Sequence, residues 1–353
     1  MKNICNTMIK DIKNYEIEIT SKCNARCPGC SRTHNGDTHP DLKMLEISLE
    51  QFKNIFPPEL IIDKSFAFSG VYGDPGMAKD IIEICEYILK NNPSKIWIDT
   101  NGGMQTENFW NRLGNLSKQN NHKLAVSFNI DGFENTNHIY RVNVIWNKLI
   151  NNITAYSQAG GNGTWSYIEF DHNINDVESA RELAKQLGFN FRIRRSSRNQ
   201  TKTPWKNKDK TISTNTKEIQ HSKAEEKYDL TKNINNIQNT KFTDINCRLI
   251  HQQKGYISHD MRLWPCCWIG DMYHDSIRPS VKDQGRQKLF DIENMYGKAW
   301  NDLTQHSIEE VLQHDYYQHV LEASWDTDHE LYIKRCVIEC GGNGSRAKVE
   351  YTT

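Results

Sequence analysis

Glu16-Ile-Glu-Ile-Thr20-Ser-Lys-Cys23-Asn-Ala-Arg-Cys27-Pro-Gly-Cys30 is the stretch whose reading decides the fold. Its first five residues read as a short strand, Glu16–Thr20, and the three cysteines follow in the loop at its end. Three thiolates so close in sequence can hold three corners of one four-iron–four-sulfur (4Fe–4S) cube. The spacing then leaves the fourth iron without a nearby protein ligand, an open position that reaction chemistry needs and electron relay does not. A partial zinc site, with His34 as a fourth ligand, is the alternative reading. Three unrelated thiols are the other.

Outward from this loop, short apolar strands alternate with amphipathic helices. The spacing predicts further strands at Ser65–Ser69, Lys95–Thr100, Lys123–Ile130, Thr164–Phe170 and Phe189–Ile193. Between them, Ser48 and Gln51 form a capping box ahead of Leu49, Phe52 and Ile55. Ile81, Ile82, Cys85, Ile88 and Leu89 line one face of the next helix, which ends near Pro93. Helices at Glu107–Ser117, Trp146–Ala159 and Asp176–Leu187 follow, the last two stopped by glycines. Six strand–helix repeats imply an α/β fold of parallel strands joined by right-handed crossovers. Six is short of the eight strands of a closed barrel, so a partial barrel or an open doubly wound sheet fits. Either way the ligand site belongs at the C-terminal ends of the strands.

The character changes over residues 196–246, a Lys-, Asn- and Thr-rich run with few large apolar side chains, which reads as an insert or linker. A second cysteine region then begins at Cys247 and continues through Pro265-Cys266-Cys267 to Cys336-Val-Ile-Glu-Cys340. Within it a hairpin is expected around Ser258–His259–Asp260, and a Ser307/Glu310 capping box opens a helix. The expected division is a core at 1–195, the insert at 196–246 and a cysteine-bearing domain at 247–353.

The chain has 353 residues, ten of them cysteine, with 44 basic against 44 acidic side chains. That length gives about two domains, and zero net charge provides no overall pull towards nucleic acid or an anionic membrane. No apolar run approaches the roughly 18 residues that cross a bilayer. The opening MKNICNTMIKDIKNYE has no apolar h-region, so no secretory signal is read there and a cytoplasmic location is expected. In a reducing compartment, ten thiols point to metal rather than disulfides. Cys85 reads as core and Cys5 as a residue without a role.

Cys-x3-Cys-x2-Cys after the first strand resembles the signature of the radical S-adenosylmethionine (radical SAM) superfamily, whose core is a (β/α)6 partial TIM barrel. The resemblance implies that Cys23, Cys27 and Cys30 bind a 4Fe–4S cluster and that S-adenosylmethionine occupies its open iron. Reductive cleavage would then give a 5′-deoxyadenosyl radical that abstracts a substrate hydrogen. One departure is Gly29, where many members place an aromatic residue.

Ser69-Gly70-Val-Tyr72-Gly73-Asp74-Pro75 looks like a variant of the family's Gly-Gly-Glu-Pro loop, so Gly70, Tyr72, Gly73 and Asp74 are implied at the S-adenosylmethionine amine. The glycines also permit close backbone approach, or a turn with no ligand. Thr100-Asn101-Gly102 stands where the family often has Thr-Asn-Gly. Ser127-Phe-Asn129-Ile-Asp131-Gly132, with His138 and Arg141 beyond, is similar to a further family stretch. It implies Ser127 and Asn129 near the ribose and Arg141 on the carboxylate, although each residue also admits a structural role.

The second cysteine region resembles the SPASM/twitch type of extension, a small α+β Fe–S domain. By that likeness Cys247, Cys266, Cys336 and Cys340 bind one auxiliary 4Fe–4S cluster, with Cys267 the competitor of Cys266 and zinc the competitor of the cluster. Members with this extension often modify peptides or oxidise alcohols. A peptide or protein substrate is therefore expected first and a small alcohol or sugar second, with a reducing partner such as flavodoxin or ferredoxin. A non-enzymatic Fe–S or zinc binding protein is the reading from a different class. Arginines at 192, 194, 195 and 198 crowd the end of the last strand, where Arg195 and Arg198 are expected at a substrate carboxylate. RNA phosphates or a solvated rim are the alternatives for that cluster.

Overall fold

The computed structural model describes residues 12–194, 245–274 and 285–341. Cys5, the 196–246 insert up to residue 244, Arg195 and Arg198 lie outside the described residues. The chain forms two compact units, each gathered from separate stretches. Among described residues, one comprises 12–17, 50–66, 245–274 and 285–341, the other 18–49 and 67–194.

In chain order the strands are β1 (Asn14–Ile17), β2 (Thr33–His34), β3 (Asp37–Thr38), β4 (Ser65–Phe68) and β5 (Lys95–Thr100). They continue with β6 (Leu124–Asn129), β7 (Asn162–Ile168), β8 (Asn190–Arg194), β9 (Lys254–Ile257) and β10 (Leu263–Trp264). In the unit of 18–49 and 67–194 the sheet runs from the end of β4 through β5-β6-β7-β8, and β5/β6, β6/β7 and β7/β8 are parallel. Strand order follows chain order, as repeated right-handed crossovers require.

The alternation of side chains assigns the two faces of this sheet. Phe128 on β6 packs at 5.4 Å against both Trp110, tilted, and Tyr156, edge-on, which belong to the helices Glu107–Gln119 and Trp146–Gln158. Trp110, Phe128, Tyr156 and Trp165 are completely buried, and each contributes roughly 2–3 kcal/mol of burial. Ser127 and Asn129, alternating with Phe128, face the other way. Cys85 is fully buried on the Ile81–Lys90 helix beside Ile81, Ile82, Ile84 and Ile88, which is its expected place in the core.

In the other unit β1 pairs in parallel with β9 and β9 antiparallel with β10. The expected hairpin is present, closed by Ser258 N–H on the Arg262 carbonyl at 3.0 Å. The Ser307/Glu310 capping box is present too, with Glu310 N–H on Ser307 Oγ at 3.1 Å and Ser307 N–H on Glu310 Oε2 at 2.7 Å. Tyr15, Phe56 and Phe66 form an aromatic cluster at 4.8–5.8 Å. No helix among the described residues is long and apolar enough to cross a membrane.

Two strands, β1 and β7, differ from expectation by more than one residue. The first strand ends at Ile17 rather than Thr20, because Ile19 and Ser21 bond the backbone of Ile47 and Leu45 instead. β7 starts two residues early, at Asn162, and stops at Ile168, where Asn173 Oδ1 takes the Phe170 N–H at 2.7 Å and turns the chain.

Candidate functional site

The loop after Thr20 brings Cys23, Cys27 and Cys30 to the C-terminal ends of the strands. Each sulfur meets a different neighbour there. Cys23 Sγ accepts from Ala25 N–H at 3.3 Å and from Asn101 Nδ2 at 3.9 Å. Cys27 Sγ accepts from Arg141 Nη1 at 3.7 Å, and Cys30 Sγ lies 3.7 Å from the Val71 carbonyl. Burial pushes the Cys23 thiol up, Asp74, Cys27 and Cys30 push the same way, and the Ala25 N–H pulls back. Cys23 therefore feels the charge of the other two thiols, and an amide and a guanidinium stand against Cys23 and Cys27. Such a donor set suits thiolates that give up their protons to iron.

The glycine-rich loop is shaped by protein contacts. A Cβ on Gly73 would lie 1.7 Å from the Thr20 carbonyl oxygen, and one on Gly70 would lie 1.8 Å from that of Gly73. The loop is anchored from below by Glu18, fully buried, whose Oε1 accepts from Tyr72 N–H at 2.6 Å and Gly73 N–H at 3.1 Å. Tyr72 is buried as well.

Asp74 clamps this loop to the next one. Its Oδ1 accepts from Gly76 N–H at 3.0 Å and Thr100 Oγ1 at 2.7 Å, and its Oδ2 from Asn101 N–H and Nδ2, both at 2.8 Å. Burial pushes the Asp74 carboxyl up, while these donors and the Arg141 charge pull it down. Asn101 in turn reaches Asn24 Oδ1 at 2.9 Å and accepts the Gly103 N–H at 2.9 Å. One network thus joins the cysteine loop, the glycine-rich loop and the end of β5.

Arg141 is engaged by Asp131, a residue that sequence reasoning quoted without giving it a role. Arg141 Nε donates to Asp131 Oδ2 at 2.7 Å, and Asp131 Oδ1 accepts the Ile168 N–H at 2.6 Å. Burial raises the Asp131 carboxyl and Arg141 lowers it. The Ser127 hydroxyl is fully buried against Ser166 Oγ at 2.8 Å, and Asn129 Oδ1 accepts from Arg194 Nη1 at 3.2 Å. His138 is exposed. Glu18 was missed because a buried acid inside a strand carries no mark in one sequence. Asp131 had one, its Asp-Gly turn.

The second site lies within the other unit. Cys336 and Cys340 share one face of the helix Lys334–Cys340, four residues apart. A bridge between Ile245 and Gly341, with Asn246 N–H on the Cys340 carbonyl at 2.8 Å, brings Cys247 alongside. Cys266 immediately precedes the helix Cys267–His274, and backbone N–H groups of Ile269 and Trp268 favour its thiolate against burial. Burial pushes Cys247 up to about 12, Cys266 adding to it. Cys340 is pushed up to about 12 by burial, then by Cys266 and Cys247.

Cys247, Cys266, Cys336 and Cys340 line one small cavity together with Trp268 and Arg335. Cys267 is not among the lining residues; its Sγ accepts from Arg248 Nη1 at 3.7 Å, and Arg248 itself lines the cavity. Four thiols on one wall are a ligand set that a cube or a zinc ion could take. Among the described residues, no three His, Cys, Asp or Glu side chains stand together at the spacing of a single bound metal ion.

No protein-family model matches the chain, and no curated protein does. The fold is similar to that of Streptococcus suis SuiB bound to precursor peptide SuiA, with a TM-score of 0.56 at 12% identity, covering 94% of this chain and 71% of that one. SuiB bound to S-adenosylmethionine gives 0.55 at 12%, covering 94% and 72%. anSMEcpe with bound AdoMet gives 0.50 at 13%, covering 86% and 78%. At these identities the likeness is one of fold, and it agrees with the α/β partial-barrel class expected from the sequence.

Proposed function

We propose that the chain is a radical SAM enzyme that modifies a peptide or protein. The observation that carries the reading is the convergence of Cys23, Cys27 and Cys30 on Asn101, Arg141 and the Val71 carbonyl at the strand ends. The fold shared with proteins bound to S-adenosylmethionine, one of them also bound to a precursor peptide, supports it.

Cys23, Cys27 and Cys30 would hold the catalytic cluster, and Cys247, Cys266, Cys336 and Cys340 an auxiliary one. When bound, the first cluster supplies one-electron cleavage of S-adenosylmethionine and hence a radical that removes a substrate hydrogen. The chain's own residues position and shield. Glu18 holds the glycine-rich loop, and Asp74 ties that loop to Thr100 and Asn101, whose amide reaches Asn24 of the cysteine loop. Arg141, fixed by Asp131, sets a positive charge beside Cys27, and its guanidinium is the group for a ligand carboxylate. Gly70, Tyr72, Gly73 and Asn101 would line the S-adenosylmethionine site mainly through backbone, with Ser127 and Asn129 towards the ribose. Residues 1–195 would carry the catalytic core and 247–353 the auxiliary domain. The protein would act in the cytoplasm with a flavodoxin- or ferredoxin-like reductant.

Anaerobic reconstitution with iron and sulfide, followed by S-adenosylmethionine and dithionite, tests this. 5′-Deoxyadenosine is expected from the native chain and not from Cys30→Ala. If neither produces it, while Cys30→Ala keeps the native iron content, the reading fails.

A further inference from the structure

The contact between Arg141 and Cys27 is held from both ends by the backbone. Arg141 follows the short helix Asn137–Tyr140, and its own N–H donates to the Asn137 carbonyl at 2.8 Å. Asn137 is buried, and its Oδ1 accepts the Asp131 N–H at 3.0 Å. Asn173, also buried, donates from Nδ2 to the Asp131 carbonyl at 3.0 Å. At the other end, the Val142 carbonyl accepts the Arg26 N–H at 3.0 Å. The residue before Cys27 is thereby tied to the residue after Arg141.

The side chain is fixed as firmly. Nε donates to Asp131 Oδ2 at 2.7 Å, and Nη1 donates to Cys27 Sγ at 3.7 Å. Asp131 is itself completely buried and takes the Ile168 N–H on its other oxygen at 2.6 Å. The guanidinium lies 5.4 Å from the Tyr140 ring, and only 14% of the Arg141 side chain is exposed. At that burial, salt and solvent screen its charge far less than at the surface. A guanidinium serving only a ligand carboxylate would need no nitrogen on a cysteine sulfur.

We infer that Arg141, donating an N–H to the Cys27 sulfur, raises the reduction potential of the cluster that Cys27 would help to hold, with Asp131 as the residue that positions it. This rests on the radical SAM reading and adds an electronic role at the same site. Reduction takes one electron from the reductant, breaks no covalent bond and adds one negative charge to the cube and its sulfurs. A donor and a positive charge at one of those sulfurs favour the reduced form. The Asp131 charge offsets part of the long-range effect, but it binds a different nitrogen, so the N–H at the sulfur is kept. The resemblance to the family puts Arg141 on the S-adenosylmethionine carboxylate, a contact that the other N–H groups of the fork can still make.

The test is a potentiometric titration of the reconstituted full chain without S-adenosylmethionine, followed by electron paramagnetic resonance. It reads the reduction step that Cys30→Ala removes, which sets the auxiliary site aside. Arg141→Gln is expected to lower the reduced-to-oxidised ratio at a fixed potential at least tenfold, a shift of about 59 mV to the negative side for one electron. Arg141→Lys keeps the charge and should recover part of that shift. With S-adenosylmethionine left out, an arginine that served only its carboxylate would leave the potential unmoved. Melting curves and iron content identify a variant that has unfolded or lost its cluster. Arg141→Gln/Asp131→Asn, which leaves no buried charge unpaired, then decides and should shift the same way. A potential unchanged or more positive in the intact variants overturns the proposal. A native chain that takes up iron and sulfide but gives no such reduction step overturns the radical SAM reading first, and this inference with it.

Discussion

Replacing Asp74 by asparagine tests how the three loops are held together. Each carboxylate oxygen accepts two donors: Gly76 N–H and Thr100 Oγ1 on one, Asn101 N–H and Nδ2 on the other. An amide has one oxygen. If its nitrogen takes the Asn101 side, two N–H donors lose their acceptor. If it takes the other side, Thr100 can rotate to accept, but the Gly76 N–H is left alone. The least costly arrangement strands one buried N–H, at about 1–3 kcal/mol, and weakens the remaining bonds from charge-assisted to neutral by about 1 kcal/mol in all. Removing a buried charge returns part of this, since burial already pushes the Asp74 carboxyl up. The net expectation is a loss of about 2–3 kcal/mol, read from denaturant unfolding of the full chain. Asp302→Asn is the control. There Oδ1 alone takes the Thr304 N–H and hydroxyl, so the amide keeps both and the change should stay within about 0.5 kcal/mol. If Asp74→Asn were as stable as the native chain, the clamp would not be what holds the loops.

Three further outcomes follow from other contacts. Burial pulls His172 down from 6.5 to about 4, so the unfolded chain takes up a proton that the native one refuses. Stability should therefore fall as pH drops from 6.5 towards 4. The gap corresponds to about 3 kcal/mol in a dry site, and screening at this half-buried ring brings it to about 1–2 kcal/mol; midpoints of unfolding across that range should flatten in His172→Gln. Gly73→Ala forces a Cβ to within 1.7 Å of the Thr20 oxygen and should cost about 2–4 kcal/mol in the same assay, whereas a small effect would mean that the loop moves aside freely. Cys266→Ala should lower bound iron by one cluster while Cys267→Ala leaves it unchanged, because only the first lines the four-thiol cavity; the reverse pattern would exchange their roles.

Much of this architecture is legible in the sequence because hydrophobic period and turn residues are local signals. β5 occupies the expected Lys95–Thr100, and the Ser307/Glu310 box caps its helix as read. What escapes is long-range satisfaction of buried polar groups. Nothing near Glu18 says that its carboxylate will take N–H groups more than fifty residues away. Nor does the Asp74 loop announce that its acid binds Thr100 and Asn101 rather than projecting freely. In that loop Gly73 packs on the Thr20 backbone and Gly70 on that of Gly73, where sequence reasoning also left room for a ligand. The segments joined into each compact unit are equally hidden, since 12–17 meets residues beyond 245 through the β1/β9 pairing and 50–66 meets 12–17 through Phe56 and Tyr15, contacts that no local pattern encodes.

The central claim is an iron site with one coordination position left for S-adenosylmethionine. Electron paramagnetic resonance of the reconstituted, dithionite-reduced Cys336→Ala/Cys340→Ala chain isolates it, because the auxiliary site is then removed. The account predicts a reduced 4Fe–4S signal whose shape changes when S-adenosylmethionine is added. A signal unmoved by saturating S-adenosylmethionine, or none at all with the fold intact, would contradict it.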